Sequence, residues 1–152
     1  ATPQDFAPIT ILGVAPLVLV AHPSVAVKTV KDLLAAAKEK PGQLTYASAG
    51  VGSTGHLSMM ILRHQVRLDL VHVPYKGAGA AAAAVVSGEV QFLPTSTGAT
   101  VPHIKAGTVR PIAIASSKRV SILPDLPTFA ESGVPGYEVA IWFALMAPGK
   151  TP

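Results

Sequence analysis

The residues with the clearest chemical potential form one stretch, Ser48-Ala49-Gly50-Val51-Gly52-Ser53-Thr54-Gly55-His56. A glycine-rich turn that leads from a strand into a helix leaves backbone N–H groups unpaired at the helix start, where the positive end of the helix dipole lies. Such a turn is suited to holding an anion. The stretch therefore predicts an anion site, and a tight turn with purely structural glycines is the competing interpretation.

Residues 50–55 also fit the pattern G-x-G-x-x-G, which occurs in dinucleotide-binding folds. Those folds need an acidic residue at the end of the next strand, to hold a ribose hydroxyl. The next predicted strand, residues 68–73, ends in Pro74-Tyr75-Lys76, and the nearby acid, Asp69, lies at its start. The stretch also lacks the lysine of a Walker loop and the serine spacing of a hydrolase elbow. It therefore predicts a general anion cradle and not a nucleotide site.

Catalytic and metal chemistry are both disfavoured by the spacing of the polar residues. Ser48, Ser53 and His56 are close in sequence, but no acid lies near them to orient a base. We interpret His56 as a residue that caps the helix start or donates to a bound anion. The other four histidines lack metal-ligand spacing and are interpreted as surface or core residues: His22, His64, His72 and His103. We expect a protein that is not an enzyme and that has no metal and no cofactor.

The composition limits the class of protein and of partner. The chain has 152 residues, enough for one domain with a substantial core, and its 49% hydrophobic and 13% charged residues are typical of a globular protein. Without cysteine it has no disulfide or thiol chemistry. The formal charge of +4 is scattered and aromatic residues make up only 5%, which argues against a nucleic-acid partner. A mildly positive chain fits an anionic small molecule better.

Strand-like and helix-like segments alternate along the sequence. The clearest is a helix that begins with the capping box Thr29-Val30-Lys31-Asp32 and ends near Lys40, before Pro41-Gly42. Predicted strands are residues 17–20, 44–47, 69–73, 90–93, 109–115 and 138–146, and further helices are residues 57–66, 80–86, 101–106 and 129–132. Trp142 is predicted to lie in the core. The alternation predicts an α/β fold, a parallel or mixed sheet with helices on both faces.

The turns that begin at Ser48 and Pro74 each follow a predicted strand. Ligands of α/β sheets bind at the carboxyl ends of the strands. Both turns therefore belong to the predicted binding edge.

Five segments, taken together and in order, resemble the Bug family, the substrate-binding proteins of tripartite tricarboxylate transporters. They are residues 45–53 (TYASAGVGS), 72–77 (HVPYKG), 87–90 (SGEV), 123–133 (LPDLPTFAESG) and 142–152, which ends in APGKTP. Each segment alone is weak, but five with matching order and spacing cover nearly the whole chain and make the resemblance specific.

The resemblance implies a periplasmic-binding-protein-like fold of type II with a mostly parallel sheet. It implies a periplasmic receptor of two α/β domains that captures small di- or tricarboxylic, amino or aromatic acids for a membrane transporter. Here the chain resembles the second domain, without a leader or most of the first domain. Residues 1–20 then form a hinge segment and first strand, residues 21–136 the ligand-binding domain, and residues 137–152 a hinge strand that returns toward the missing domain.

The resemblance also implies a set of ligand contacts, mostly through backbone N–H groups and ordered water. The first turn contributes Ser48, Ala49, Gly50, Gly52, Ser53 and Thr54, followed by His56, and the second contributes Tyr75, Lys76, Gly77 and Ala78. Thr95 and Ser96 add a third loop, where the family often has an acidic residue instead. Two alternatives stay open at this point: an enzyme domain that holds a phosphate or thioester substrate, and a stand-alone fold with structural glycines.

Overall fold

The computed structural model describes residue 2 and residues 5–151, and within them six strands alternate with four helices. The elements are β1 (Phe6–Ala21), α1 (Val30–Glu39), β2 (Thr45–Ser48), α2 (Thr54–Val66), β3 (Val71–Pro74), α3 (Ala78–Val86), β4 (Phe92–Ser96), α4 (Thr97–Lys105), β5 (Arg110–Ile114) and β6 (Ala140–Pro148). This order confirms the predicted α/β fold.

Five strands form the main sheet, in the order β3-β2-β4-β1-β5. β2 runs parallel to both β3 and β4, while β1 runs antiparallel to β4 and to β5. Since β1 opposes both of its neighbours, the other four strands share one direction, and the sheet is mostly parallel as predicted. The carboxyl ends of β2, β3 and β4 therefore lie at one edge, where α2, α3 and α4 begin.

Helices cover both faces of the sheet because its strands carry apolar residues on both sides. In β1, Leu17 and Leu19 point into the core shared with α1 and α2, whereas Val18 and Val20 point into the core beneath α3. The alanine-rich helix α3 packs through Ala81 and Ala84, which are both buried. Small side chains allow this helix to lie close to the sheet.

The helix ends follow the local signals in the sequence. The capping box of α1 is complete, since Thr29 Oγ1 accepts from the Asp32 amide at 3.1 Å and the Asp32 carboxylate accepts from the Thr29 amide at 3.0 Å. The hydrogen bond from the Lys28 amide, together with these bonds, lowers the pKa of Asp32. A second reciprocal pair joins Thr128 and Glu131, but residues 129–132 form turns and not the predicted short helix.

An antiparallel ribbon extends beyond the main sheet. The first part of β1 pairs with β6 from Phe6↔Pro148 to Pro16↔Ala140, with two register shifts, so β1 is a longer strand than the predicted residues 17–20. The ribbon exposes nine large apolar side chains: Phe6, Ile9, Ile11, Leu12, Val14, Trp142, Phe143, Leu145 and Met146. Trp142 is 59% exposed, so its prediction as a core residue is wrong. No helix in the described part of the chain is both long and apolar enough to span a membrane.

Candidate functional site

The two glycine turns lie side by side at the carboxyl edge of the sheet. The last residues of β2 and β3 are paired in register, Ser48 with Pro74. Beyond them, the Tyr75 amide donates to the Ser48 carbonyl at 3.0 Å, and the Gly77 amide donates to the Ala49 carbonyl at 3.3 Å. We call residues 48–53 the first corner and residues 74–77 the second corner. The predicted juxtaposition of the two turns is therefore present.

A third strand end joins them. β4 runs parallel to β2, and Ser96 at its end is the N-cap of α4. Pro94, Thr95 and Ser96, which the sequence placed in a loop, belong to the strand. The N-termini of α2, α3 and α4 thus meet at one edge, and each brings the positive end of a helix dipole.

A small cavity of about 160 Å³ lies between these helix starts. Five of the predicted site residues line it: Ala49, Ser53, Thr54, Ala78 and Thr95. The remainder of its wall comes from Leu17, Gly55, Ala81, Leu93, Pro94 and Ile141. An apolar floor with polar groups around it is typical of a small-molecule site.

Three amides of the first corner are already bonded to neighbouring groups. The Gly50 amide donates to Ser48 Oγ at 3.1 Å, the Gly52 amide to His56 Nδ1 at 3.1 Å, and the Ser53 amide to the Gly50 carbonyl at 3.2 Å. Gly52 has a φ of +80°, which a residue with a side chain adopts only with strain. Gly50 and Gly52 therefore shape the turn, and their amides are not free for an anion.

Backbone N–H donors without a hydrogen-bond partner, here called unspent, lie in the first turns of the helices instead. Among the described residues, the amides of Thr54 and Gly55 in α2 and of Ala78 and Gly79 in α3 have no hydrogen-bond partner. The first amides of a helix have no intrahelical acceptor, so these four donors are available to a ligand. The hydroxyls of Thr54 and Thr95, in the cavity wall, also have no partner within the described chain. This donor set matches a carboxylate.

Gly55 allows α2 to approach the sheet. A Cβ atom at this position would lie 2.9 Å from the Pro94 carbonyl oxygen of β4. The third glycine of the G-x-G-x-x-G pattern thus serves close packing between a helix and a strand, while the ribose-binding acid of a dinucleotide site has no counterpart after β3.

The remaining predicted contacts lie around this centre. The Tyr75 hydroxyl donates to Glu89 at 2.7 Å, and partial burial together with that carboxylate raises the pKa of Tyr75. Lys76 is exposed. Neither residue lines the cavity. Gly77 and Ser96 are the N-caps of α3 and α4, and neither helix start has a side-chain capping bond.

Behind the first corner, Ser48 belongs to a hydrogen-bond network that also contains His72, which the sequence did not point to as a site residue. Ser48 is 1% exposed, and its Oγ lies 2.6 Å from His72 Nε2 and 3.0 Å from the Gly50 carbonyl. The His72 ring stacks on His56 with centroids 4.2 Å apart and on Tyr46 at 4.9 Å. Burial lowers the pKa of His72, and the neighbouring His56 lowers it further.

This network has the wrong geometry for a nucleophile. The Ser48 hydroxyl is buried and surrounded by its own corner, and no carboxylate in the described residues hydrogen-bonds either His56 or His72. A general-base pair needs an accessible nucleophile and an oriented base. Nor do His, Asp and Glu side chains in the described residues gather in a group of three or more that could hold a metal ion.

Other hollows offer less to an anion. One of about 320 Å³ beside α1 has Asp32 and Glu39 in its wall, with Lys40. Another, on the outer face of α2, is lined mainly by the apolar residues Leu57, Met60 and Ile61. The cavity at the helix starts is smaller than these, yet it lies beside both unspent amides and the positive ends of helix dipoles.

Comparison with known proteins points to one family. A family model described as tripartite tricarboxylate transporter family receptor matches residues 1–152. Protein BugT from Bordetella pertussis is 34% identical over 148 residues, which cover 97% of this chain and 45% of BugT. The chain thus spans about half the length of the curated relatives it matches.

Solved structures agree in fold. The R. palustris protein Rpa4515 with adipate superimposes with a TM-score of 0.96 at 37% identity, over all of this chain and 51% of that one. MatC from Rhodopseudomonas palustris with bound malate gives a TM-score of 0.92 at 32% identity, over all of this chain and 52% of MatC. Both similar structures contain a dicarboxylate.

Proposed function

This chain belongs to the tripartite tricarboxylate transporter receptor family, and we propose that it captures a small carboxylate as one half of a two-domain receptor. The observation that carries the proposal is the set of unspent amides at the starts of α2 and α3, three of which belong to residues that line the cavity: Thr54, Gly55 and Ala78. The dicarboxylates bound by the two similar R. palustris proteins support the same ligand class.

The thirteen predicted site residues divide into two roles in this proposal. Those that contact the ligand are Ala49, Ser53, Thr54, Ala78 and Thr95, through amides and hydroxyls at the cavity. Those that shape or flank the site are Ser48, Gly50, Gly52, His56, Tyr75, Lys76, Gly77 and Ser96. The division follows from which groups line the cavity and which are bonded within the corners.

The exposed ribbon supports the domain organisation of the proposal. A two-stranded ribbon has little stability of its own in water, and this one carries a row of uncovered apolar side chains. We infer that residues 1–20 and 137–152 lead to the other half of the receptor, while residues 21–136 form this half of the cleft. The full receptor then acts in the periplasm and delivers its ligand to membrane subunits of a transporter.

The energetics require a second half. A charge-assisted hydrogen bond contributes about 1.5–3 kcal/mol, so three of them give roughly 5–9 kcal/mol before association entropy is subtracted. Micromolar affinity corresponds to about 8 kcal/mol. We therefore expect this chain alone to bind malate or adipate more weakly than micromolar, and a full-length receptor that carries it to bind tightly. Calorimetry that gives micromolar affinity for the chain alone would contradict this expectation.

One substitution tests the amide donors directly. Ala78→Pro removes an N–H at the first position of α3, where proline is well tolerated in helices. In the full-length receptor we expect it to weaken malate or adipate binding by roughly 10- to 100-fold, the value of one charge-assisted bond. Ala78→Ser keeps the amide and is the matched control. Equal affinities for the two variants would refute the amide site.

The geometry favours binding without turnover. The family consists of receptors, and the serine and histidine groups near the cavity lack the arrangement of an activated nucleophile. We infer that the chain recognises its ligand and releases it unchanged.

A further inference from the structure

Two histidines brace the first corner from behind. One arm runs from Gly50 through the Ser48 hydroxyl to His72 Nε2, and the other runs from the Gly52 amide to His56 Nδ1. The two rings stack at 4.2 Å with an interplanar angle of 17°, which joins the arms. The corner that leads into the ligand-facing start of α2 is thus tied at two points to one imidazole pair.

The protonation state of the pair controls one of these ties. Because the Gly52 amide donates its hydrogen to His56 Nδ1, that nitrogen must be unprotonated and the ring must be neutral. A proton on His56 Nδ1 removes the acceptor and brings the Nδ1–H group into repulsive contact with the Gly52 N–H group. Two imidazolium rings at this spacing would also repel each other.

The surroundings give a positively charged pair little compensation. The titratable groups near it are the Tyr46 phenol of β2, which stacks on the His72 ring at 4.9 Å, and Arg63 of α2, whose charge acts on Tyr46. In the described residues no carboxylate bonds to either ring. Burial and the neighbouring His56 lower the pKa of His72, which favours the neutral form in the folded protein.

We propose that His72 is a positioning residue of the carboxylate site, and that the neutral His56–His72 stack holds the first corner in its binding shape and makes affinity fall in acid. The proposal rests on the carboxylate-binding function proposed above. His72 itself contacts the corner through Ser48 and lies outside the cavity wall. Its effect on the ligand therefore passes through the position of the Ser53 and Thr54 groups.

The first measurement is the affinity of the full-length receptor for adipate between pH 8 and 6, a range that lies above the ordinary pKa of carboxyl groups and so keeps the ligand ionised. We expect affinity to fall by roughly two- to fivefold over this range, in which histidine side chains begin to take up a proton. His56→Asn places an amide oxygen where Nδ1 accepts but cannot take up a proton there, so its profile should be flat. A flat wild-type profile, or an unchanged slope in His56→Asn, would overturn the proposal.

The second measurement isolates His72. His72→Phe keeps a ring in the stack but loses the bond to Ser48, and it should weaken adipate binding at pH 8 by several-fold. His72→Gln returns an acceptor and donor near the Nε2 position and should recover most of that loss. If His72→Phe binds as tightly as wild type, or if His72→Gln is no better than His72→Phe, His72 does not position the site.

A ligand-free readout separates this proposal from the binding function itself. By NMR, the Gly52 amide should shift with the histidine titration in the unliganded protein, whereas the Gly133 amide, bonded to the Ala130 carbonyl at 3.1 Å, should not. If adipate binds at no pH while the NMR shift of the Gly52 amide still follows the histidine titration, the proposed carboxylate binding is wrong. The proposed role of the histidine pair in holding the first corner is then still supported. If Gly52 is insensitive to pH, the brace fails whatever the ligand does.

Discussion

The two corners of the binding edge occupy equivalent places at neighbouring strand ends, yet they are held in different ways. The first corner is braced by its own side chains. Ser48 bonds both backbone groups of Gly50, His56 accepts from Gly52, and Ser53 Oγ caps α2 by accepting from the His56 amide at 3.3 Å. Its shape is therefore determined within a few residues of sequence and by the histidine stack.

The second corner has no such brace. Gly77, the N-cap of α3, has a φ of +101° and offers no side-chain cap, and the Tyr75 phenol bonds to Glu89. What fixes this corner is the backbone of the first, because the Tyr75 and Gly77 amides donate to the carbonyls of Ser48 and Ala49. The conformation of the second corner therefore depends on that of the first.

This difference has a consequence for mutation. Damage to the first corner should spread to the second, since the second depends on its carbonyls. Damage to side chains of the second corner should remain local. Substitutions at Gly55, Ser53 and Tyr75, in order of decreasing expected effect, test that asymmetry.

The largest effect is expected at the close approach of α2 to β4. Gly55→Ala places a Cβ atom 2.9 Å from the Pro94 carbonyl oxygen, a backbone atom that cannot move aside easily. We expect a loss of about 1–3 kcal/mol in the free energy of unfolding, as for overpacked sites. Displacement of α2 should also weaken ligand binding, because Thr54 and Gly55 carry unspent amides. Denaturant unfolding and calorimetry measure the two effects.

Gly79→Ala is the matched control for that substitution. Gly79 also lies in the first turn of a ligand-facing helix, but a Cβ atom there meets nothing within 4 Å. Alanine should leave stability unchanged or raise it by up to ~1 kcal/mol, because it has the higher helix propensity. If the two variants behaved alike, close contact with β4 would not be what makes position 55 intolerant of a side chain.

A smaller effect is expected at the helix cap of the first corner. Ser53→Ala removes the hydroxyl that accepts from the His56 amide, which should cost about 1 kcal/mol of stability. Thr29→Ala removes the equivalent cap of α1, far from the cavity, and should cost a similar amount. Affinity for adipate should fall only in the Ser53 variant. A similar loss of affinity in both variants would show that stability, and not the corner, governs binding.

Local signals explain most of what the sequence predicted correctly. The capping box at Thr29 and Asp32 begins α1 as expected, and the glycine turn leads into α2, which ends at the predicted Val66. These features depend on residues three or four apart, whose contacts follow from helix geometry alone. The shared edge of the two corners also followed from the sequence, because parallel strands place their carboxyl ends together.

Non-local contacts explain what it missed. His72 meets Ser48 across 24 positions of sequence, and only the register Tyr46↔His72 shows that this ring lies behind the first corner. Trp142 was predicted as core from its residue type, but its strand pairs with β1 beyond the main sheet, where nothing in the described residues covers it. Such placements depend on strand pairing, which single-residue preferences do not contain.

The smallest effect is expected in the second corner, at Tyr75, a residue that the sequence predicted as a ligand contact. In the structure its hydroxyl bonds to Glu89 and the residue lies outside the cavity wall. Tyr75→Phe should therefore change stability by no more than about 0.5 kcal/mol, as is usual for groups near the surface, and should leave adipate affinity unchanged. Calorimetry on the full-length receptor decides the point. A tenfold loss of affinity would mean that the phenol leaves Glu89 for the ligand, and that the second corner recognises it through a side chain as well as through backbone donors.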